Sequence, residues 1–196
     1  IETKPTLYDK LLSDKSTRPG ERTDFSKVLT DNNTNTLYTS TENGTTVYYF
    51  AGNATDNWVK FGGYYWRIIR TNSDGGVRLL YHGTSTTSTG AYIGTSEFNS
   101  SLDNIAYVSY MYGSLGSIPN ARTNQTNSST IKTTIDNWYA KNMTSYTKYL
   151  STTAVYCNDR STSDNTYFGA YTRLASNKTP SYDCAAKEDK FTVDTS

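Results

Sequence analysis

Few residues in this chain could perform catalytic chemistry. There is one histidine, His82, and there are two cysteines, Cys157 and Cys184. A thiol activated by an imidazole is a common nucleophile, so Cys157 and His82 could in principle form a catalytic pair. However, Cys184 offers Cys157 a simpler partner, and the motifs that surround the cysteine of known thiol enzymes are absent. One histidine just after a strand does not make a serine triad either, so the sequence favours a solvent-exposed or loop-anchoring His82.

The two cysteines are expected to form a disulfide. Closing the loop between Cys157 and Cys184 would stabilise the fold by roughly 3 kcal/mol, by chain-entropy reasoning. The alternative is two buried free thiols. The disulfide agrees better with an exported protein, because such bonds persist in oxidising compartments.

Acidic and amide residues after Cys157 offer a weak metal-site pattern. Asn158, Asp159 and Asp164 could place oxygen atoms around calcium, but their spacing does not match an EF-hand loop. The sequence favours an ion pair of Asp159 with Arg160 that holds a loop beside the disulfide. Neither a nucleotide-binding glycine motif nor zinc-ligand spacing is present in the sequence, so no metal or other cofactor is predicted.

The composition indicates a folded, exported protein. Its 196 residues suit one domain or a small two-lobed one. Hydrophobic residues make up only 35%, but 18 Tyr, 6 Phe and 3 Trp argue against disorder, because aromatic side chains bury large areas. Charged residues make up 19%, below the roughly 25% of ordinary domains, and the abundance of Thr, Ser, Asn and Tyr is typical of wall-exposed bacterial proteins. We therefore expect an extracellular or cell-surface location, with any leader already removed before Ile1.

The charge and the hydropathy of the chain argue against two kinds of partner. The net charge is +1, from 19 basic and 18 acidic residues, whereas nucleic acid binding needs a concentrated basic face. No apolar run approaches the ~20 residues that a membrane-spanning helix needs. Neither nucleic acid nor a membrane span in this chain is expected.

The strongest structural pattern runs from Asn57 to Tyr81. It predicts strands at 58–61, 64–70 and 77–81, with a turn at 72–76. Because apolar residues lie on both faces of the hairpin, the pattern predicts a central position in the sheet rather than an edge. The predicted core consists of large apolar residues in the periodic segments: Trp58, Trp66, Ile68, Leu79, Ile135 and Trp138.

Two helices are predicted outside this hairpin. A short helix is predicted at 6–13, with Thr6 as its cap. The main helix at 129–142, with Ser128 or Ser129 as its cap, carries an apolar stripe of Ile131, Ile135 and Trp138. The fold class is therefore α+β, with a central twisted antiparallel sheet, one main amphipathic helix and long polar loops.

The N-terminal part of the chain is predicted to stand apart from the core. Residues 14–31 are polar and are interpreted as loop, and the first strand is placed at 45–50. Residues 1–44 then form an arm of helix and loop, and residues 45–196 form the α+β core domain.

Two polar loops, at 82–92 and 120–130, form the candidate binding surface. Tyrosine gives contact area at low entropic cost, Ser and Asn adapt their hydrogen bonds, and exposed rings can stack on sugars. The alternative is ordinary solvated loop. The residues predicted to carry this surface are His82, Tyr92, Asn124 and Asn127.

A series of short segments follows in order along most of the chain. They are YYF at 48–50, NWVKF at 57–61, WRIIR at 66–70, DGGVRL at 74–79, AYV at 106–108, YMYG at 110–113, IDNWY at 135–139, CNDRS at 157–161 and KTP at 178–180. Together they resemble a family of uncharacterised secreted proteins of gut Gram-positive bacteria, whose members often carry a signal sequence or a prepilin-like leader. That family is distantly similar to the C-type-lectin-like or formylglycine-generating-enzyme-like fold.

The resemblance implies how the sheet would be completed. Folds of this type carry a second half with a further Trp-containing strand, and the given chain ends at Ser196 before such a half. We expect either a truncated chain or a sheet that is closed in another way, for example by a second chain. The reactive cysteines of formylglycine-type enzymes belong to that second half.

These observations favour a non-catalytic extracellular module that acts in adhesion, recognition or self-assembly, with a pilin-like filament subunit as one form. The expected partners are further copies of the chain or a host or glycan ligand, and a strand at 190–193 could pair with a neighbouring copy. The alternative is a carbohydrate-binding or carbohydrate-active secreted enzyme. Its site would converge on Asp103, Asp136, Asp159 or His82.

Overall fold

The chain folds into a mixed β-sheet with two α-helices against it. The structure, a computed structural model, describes residues 4–29, 36–99, 111–112, 128–157, 175–178, 180–184 and 190–192. Over these ranges it contains one six-stranded sheet, one two-stranded sheet, two α-helices and a 3₁₀ helix. The prediction of an α+β protein with one main helix is confirmed, but the sheet is not wholly antiparallel.

The elements follow the chain in a simple order. They are α1 (Leu7–Asp14), β1 (Ser16–Glu21), β2 (Thr36–Glu42), β3 (Thr45–Tyr49), β4 (Trp58–Phe61), β5 (Tyr64–Thr71), β6 (Val77–Gly83), α2 (Thr130–Asn142), the 3₁₀ helix (Thr144–Tyr149), β7 (Tyr156–Cys157) and β8 (Lys190–Phe191). Strand β5 lies at the centre. Strand β6 pairs along one edge of β5. On the other edge of β5, β3 pairs at Arg70 and β4 pairs at residues 64–67. Strand β2 pairs with β3, and β1 runs parallel to β2.

The N-terminal segment contains strands that the sequence analysis did not predict. Residues 14–31 were expected to be loop, yet they include β1, and the strand expected to come first is the third. Strands β2 and β3 form a hairpin about Asn43 and Gly44, which both have positive φ angles (49° and 74°). An Asn-Gly pair is a strong signal for such a turn, because these residues tolerate the left-handed conformation that it requires. This turn lies at the predicted boundary between the N-terminal arm (1–44) and the core domain (45–196). The strands before and after the turn, β2 and β3, pair with each other across that boundary.

Helix α1 packs into the core. Thr6 caps it as predicted: its hydroxyl accepts from the N–H of Asp9 at 3.1 Å, and the Asp9 carboxylate accepts from the N–H of Thr6 at 3.0 Å. Leu11 is buried in one cluster with Leu37 of β2 and Ile68 of β5. The N-terminal segment therefore shares its sheet and its core with the strands that come after it.

A bulge in β5 decides which side chains face the helices. Ile68 pairs with Leu79 and Arg70 pairs with Arg78, so Ile69 is an extra residue in β5. Since directly paired residues lie on the same face of a sheet, the bulge moves Arg70 to the face opposite Ile68. The face that carries Leu37, Ile68 and Leu79 is named the helix face.

The opposite face carries three arginines and is named the arginine face. It contains Arg67, which pairs with Trp58 and Leu80, as well as Arg70 and Arg78. Trp58, predicted to be in the core, is half-buried on this face, whereas Ile68 is buried on the helix face as predicted.

Helix α2 contacts the helix face through its C-terminal half. The Trp138 ring lies 5.5 Å from that of Tyr64 and 5.4 Å from that of Tyr81, which in turn meets Trp66 at 5.3 Å. Trp66, Leu79 and Trp138 are all half-buried, so these predicted core residues line the core rather than lie within it.

The prediction that Ile135 belongs to the core is wrong. Its side chain is 47% exposed, although Ser129 caps α2 as predicted. The described contacts of α2 with the sheet involve Trp138 and Asn142, whose amide oxygen accepts from the Tyr64 hydroxyl at 2.7 Å. Ile135 lies nearly one turn before Trp138, and there the helix does not rest on the strands.

The segment near residue 190 is paired within the chain. Lys190 pairs with Cys157 and Phe191 with Tyr156, so β8 adds to β7 in the two-stranded sheet.

The hairpin of β5 and β6 is central only in part, because β6 pairs with no other strand among the described residues. Among the helices described, none is long and apolar enough to span a bilayer.

Candidate binding surface

A buried ion pair stands on the arginine face. Glu42 at the end of β2 accepts from Arg70 of β5 at 2.7 Å, and their side chains are only 4% and 5% exposed. The second carboxylate oxygen of Glu42 accepts from the N–H of Ser73 at 2.6 Å. Burial alone raises the pKa of Glu42, but the hydrogen bonds from Arg70 and Ser73 outweigh it, so the pKa lies below its ordinary value. This carboxylate is therefore an anion that holds the sheet together.

Each of the three arginines stacks on an aromatic ring. The guanidinium carbon lies 3.8 Å from the Trp58 ring centre for Arg67, 4.2 Å from that of Tyr182 for Arg70, and 4.3 Å from that of Tyr156 for Arg78. The rings come from β4 and from the C-terminal part of the chain, and such stacking combines electrostatic attraction with close packing.

The C-terminal segments cover part of the arginine face. Arg78 donates to the carbonyl of Val155 at 2.7 Å, and the Asp183 carboxylate accepts from the N–H of Asn43 at 2.8 Å. Burial raises the pKa of Tyr182 to about 12. Cys157 and Cys184 form the predicted disulfide, with a Cα–Cα distance of 5.3 Å. Cys157 is therefore not the free thiol that a Cys–His pair requires.

His82 is a packing residue at the end of β6. It is the extra residue of a second bulge, between the pairs Tyr65–Gly83 and Trp66–Tyr81, and its ring meets Trp58 edge-on at 4.6 Å. Its Nε2 is buried and has no hydrogen-bond partner among the described residues. The arrangement agrees with a loop-anchoring histidine, which was one of the two interpretations of the sequence.

The loop after His82 is organised by its own hydroxyl groups. The N–H of Ser85 donates to Ser88 Oγ at 3.2 Å, and Gly83 adopts a φ of 97° that brings it close to Ser88. Tyr92 is 64% exposed and lies against Gly90. Of the predicted surface, His82 thus belongs to the sheet and Tyr92 is open to solvent, and Asn124 and Asn127 lie outside the described residues.

Two exposed tyrosines near the C-terminal half were not predicted as surface residues. Tyr149, at the end of the 3₁₀ helix, is 66% exposed and meets Phe61 edge-on at 6.3 Å. Tyr156 in β7 is 42% exposed and stacks on Phe191 at 5.7 Å. Tyr149 also has the Lys148 ammonium 4.9 Å from its ring centre, and Arg78 stacks on Tyr156. These contacts hold the rings in place, so the exposed part of each ring can be offered to a partner without losing much side-chain freedom. Their positions depend on the tertiary fold, and no local pattern in the sequence indicates them.

The carboxylates of Asp136 and Asp74 take part in structural contacts. Asp136 pairs with Lys132 at 2.6 Å one turn away on α2. Asp74 accepts from Ser151 at 2.6 Å and from Thr153 at 2.9 Å; burial raises its pKa, but these bonds bring the pKa below its ordinary value. Within the described ranges, no three His, Cys, Asp or Glu residues lie close enough together to hold a metal ion. Asp103 and the calcium candidates Asn158, Asp159 and Asp164, with Arg160, lie outside those ranges.

Comparison with known proteins gives no relative for this chain. No protein-family model matches it, and neither a curated protein nor a solved structure shows significant similarity. Its function must therefore be inferred from its own residues and their contacts.

Proposed function

We propose that this protein is a non-catalytic extracellular module that binds a partner through exposed tyrosines, in adhesion, recognition or self-assembly. The observation that carries the proposal is the presence of Tyr92 and Tyr149 at the surface, both mostly open to solvent, with the partly exposed Tyr156 as a third ring. Tyrosine rings of this kind provide contact area for proteins and stacking surfaces for sugars. The disulfide supports an exported location, because such bonds are rare in reducing compartments.

The alternative, a carbohydrate-active enzyme, would need a carboxylate or thiol with a perturbed pKa in a concave site. Glu42 and Asp74 have shifted pKa values, but each is engaged in hydrogen bonds that join two parts of the fold. This use of the described carboxylates supports binding over catalysis. Host or glycan ligands and further copies of the chain are the proposed partners, and no cofactor is part of the proposal.

The family and the finer fold class are part of the same proposal. Four of the nine segments on which the resemblance to the exported Gram-positive family rests lie in or next to β3 to β6, and a fifth lies on α2. We propose membership of that family and a distant C-type-lectin-like relationship. A polymeric, pilin-like form would need a strand other than β8, since β8 is paired with β7 in the same chain.

The test is binding to a panel of immobilised oligosaccharides, with purified mucin and peptidoglycan as further probes. We expect specific retention on at least one probe, reduced at least about tenfold in Tyr149→Ser or Tyr92→Ser, as expected for the loss of one stacked ring. Val28→Ser is the matched control, because Val28 is exposed but not aromatic. Cleavage of any oligosaccharide by the purified protein, or retention that neither tyrosine variant changes, would contradict the proposal.

A further inference from the structure

Three strands of the six-stranded sheet, β1, β4 and β6, each pair with one strand among the described residues. Strand β4 is only four residues long and carries the exposed Lys60, which disfavours pairing with another chain. Strands β1 and β6 differ in how their other edges are protected. Exposed edges pair with other chains unless proline, charge or irregular geometry prevents it. Strand β1 contains Pro19, which has no N–H to donate, and Gly20 has a φ of 73°. Its register with β2 also shifts between Thr17 and Glu21. The β1 edge is therefore poorly suited to accept another strand.

Strand β6 lacks these protective features over Val77–Tyr81. The five residues contain neither proline nor glycine, and the bulge of β6 falls later, at His82. In the part of the chain that the structure describes, β5 is its single partner strand. The β6 edge is regular enough to form a ladder with another strand.

The one charge in this stretch, Arg78, is held by contacts within the chain. Arg78 donates to Val155 at 2.7 Å and to Asn72 Oδ1 at 3.2 Å, and it stacks on Tyr156. A cation held in this way cannot repel an incoming strand as a free lysine would. Beside Arg78, Leu80 is 59% exposed on the arginine face, so the edge also presents apolar surface.

We propose that β6 pairs with β6 of a second copy of this chain. The two strands run antiparallel about a twofold axis at Leu79, so that Val77 lies opposite Tyr81 of the partner and Leu80 lies opposite Arg78 of the partner. Leu80 of each copy then lies beside the Arg78 side chain of the other, which remains stacked on its own Tyr156, and both sheets join into one. The inference deepens the self-assembly part of the proposed function and rests on it.

A second copy fits this edge for two reasons. The net charge is +1, so two copies approach with little electrostatic repulsion. A strand that pairs with itself about a twofold axis needs only a regular ladder and tolerant side chains, and both are present. Because β1 is protected, β4 is short and carries Lys60, and β6 is used once, the assembly closes as a dimer and does not grow into a filament.

Sedimentation velocity of the full chain over a wide concentration range tests the proposal. The wild-type protein is expected to form a reversible dimer. Leu80→Lys places a charge at the pairing edge and should be monomeric over the same range, with an unchanged circular dichroism spectrum. Val28→Lys, which adds the same charge at another exposed apolar residue, should remain dimeric.

Cysteine cross-linking tests the register. Leu79→Cys should give a 79–79 disulfide between copies under mild oxidation, detected by peptide mass mapping, because directly opposite residues in antiparallel strands are close. Leu80→Cys should not, because its counterpart is offset along the strand. Cross-linking at 80 in place of 79 would overturn the proposed pairing.

Three results of the sedimentation experiment would overturn the inference: a wild-type monomer at every concentration, a dimer that Leu80→Lys leaves intact, or open-ended polymers. None of these results determines whether the protein is retained on the carbohydrate probes, which is the test of the proposed function. Leu80→Lys keeps Tyr92 and Tyr149, so its retention on the carbohydrate probes can be measured separately. A monomer that still binds a probe would refute the dimer alone.

Discussion

Glu42 and Arg70 bring opposite charges into a site that is almost closed to water. A buried pair of this kind adds little net stability over an apolar replacement, but the loss of one partner leaves an uncompensated charge. The pair has further bonds, since Arg70 also donates to the carbonyl of Thr71 at 2.9 Å and stacks on Tyr182. Its most direct effect is to join β2, β5 and the C-terminal segment.

Replacing Glu42 by Gln should therefore be costly. The substitution keeps the shape of the side chain and removes its charge, so Arg70 stays buried as an unpaired cation. We expect a loss of about 3 kcal/mol in the free energy of unfolding, measured by urea denaturation. Asp136→Asn, which breaks the exposed pair with Lys132, should cost no more than about 0.5 kcal/mol. Equal effects of the two substitutions would contradict the structural role given to Glu42.

The same carboxylate predicts how stability depends on pH. Burial raises the pKa of Glu42, the bonds from Arg70 and Ser73 lower it further than burial raises it, and the folded-state pKa is below the ordinary 4.5. A depressed pKa gives stability that is fully present above the unfolded-state value and is lost as the pH falls through the folded-state value. The free energy of unfolding should thus be level above about pH 5 and fall below about pH 4.

Comparison of variants identifies the group responsible for this acid sensitivity. Glu42→Gln should show a shallower decline of stability at acid pH than the wild type. Asp74→Asn should also make the decline shallower, since the Asp74 pKa is lowered in the fold as well. A wild-type and a Glu42→Gln profile that fall in parallel with decreasing pH would assign the acid sensitivity elsewhere. Urea denaturation at a series of pH values gives the comparison.

Among the elements, α1 has the clearest effect on how the chain is organised. It is a helix of 8 residues, too short to be stable alone, and its stability must come from packing. Leu11 supplies that packing against Leu37 and Ile68. Helix α1, which belongs to the arm predicted at residues 1–44, therefore completes the core.

Leu11→Ala is expected to destabilise the whole protein by about 3 kcal/mol, because it removes buried methyl groups and leaves a cavity. The unfolding transition should remain single, since α1 and the sheet share one core. Val28→Ala is the control, and the exposure of Val28 predicts a change within about 0.5 kcal/mol. A separate early transition for α1, with the sheet unaffected, would support an independent arm.

At the scale of the whole molecule, the disulfide joins two segments that cover the arginine face. Cys157 follows Tyr156, and Cys184 follows Tyr182 by two residues. The two tyrosines stack on Arg78 and Arg70. The covalent bond thus limits how far both rings can move from the sheet.

Reduction of this bond should lower the free energy of unfolding by roughly 3 kcal/mol. The intact protein should gain the mass of two hydrogen atoms on reduction, and it should show no free thiol before it. The Cys157→Ser, Cys184→Ser double variant should match the stability of the reduced protein, which separates loss of the bond from effects of the reductant. Two free thiols in protein purified under oxidising conditions would undercut the exported assignment.

The sequence by itself determined the elements whose patterns are local. Thr6 and Ser129 are caps at the starts of helices, and the segment from Trp58 to Tyr81 alternates about a glycine turn, so their structure follows from neighbouring residues. The spacing and number of the cysteines also sufficed to expect their pairing. The Asn43–Gly44 turn carried a signal of the same kind, but the weakly apolar strands around it obscured it.

Only the tertiary structure decided which residues meet across the sheet. The bulge at Ile69 places Arg70 opposite the helix face, where it can reach Glu42 and Tyr182, and a one-residue bulge leaves little trace in a periodic pattern. The exposure of Ile135, and the pairing of β6 with β5 alone among the described strands, likewise depend on parts of the chain that are distant in sequence. Local periodicity reports which side of an element is apolar, whereas burial depends on partners that are distant in sequence.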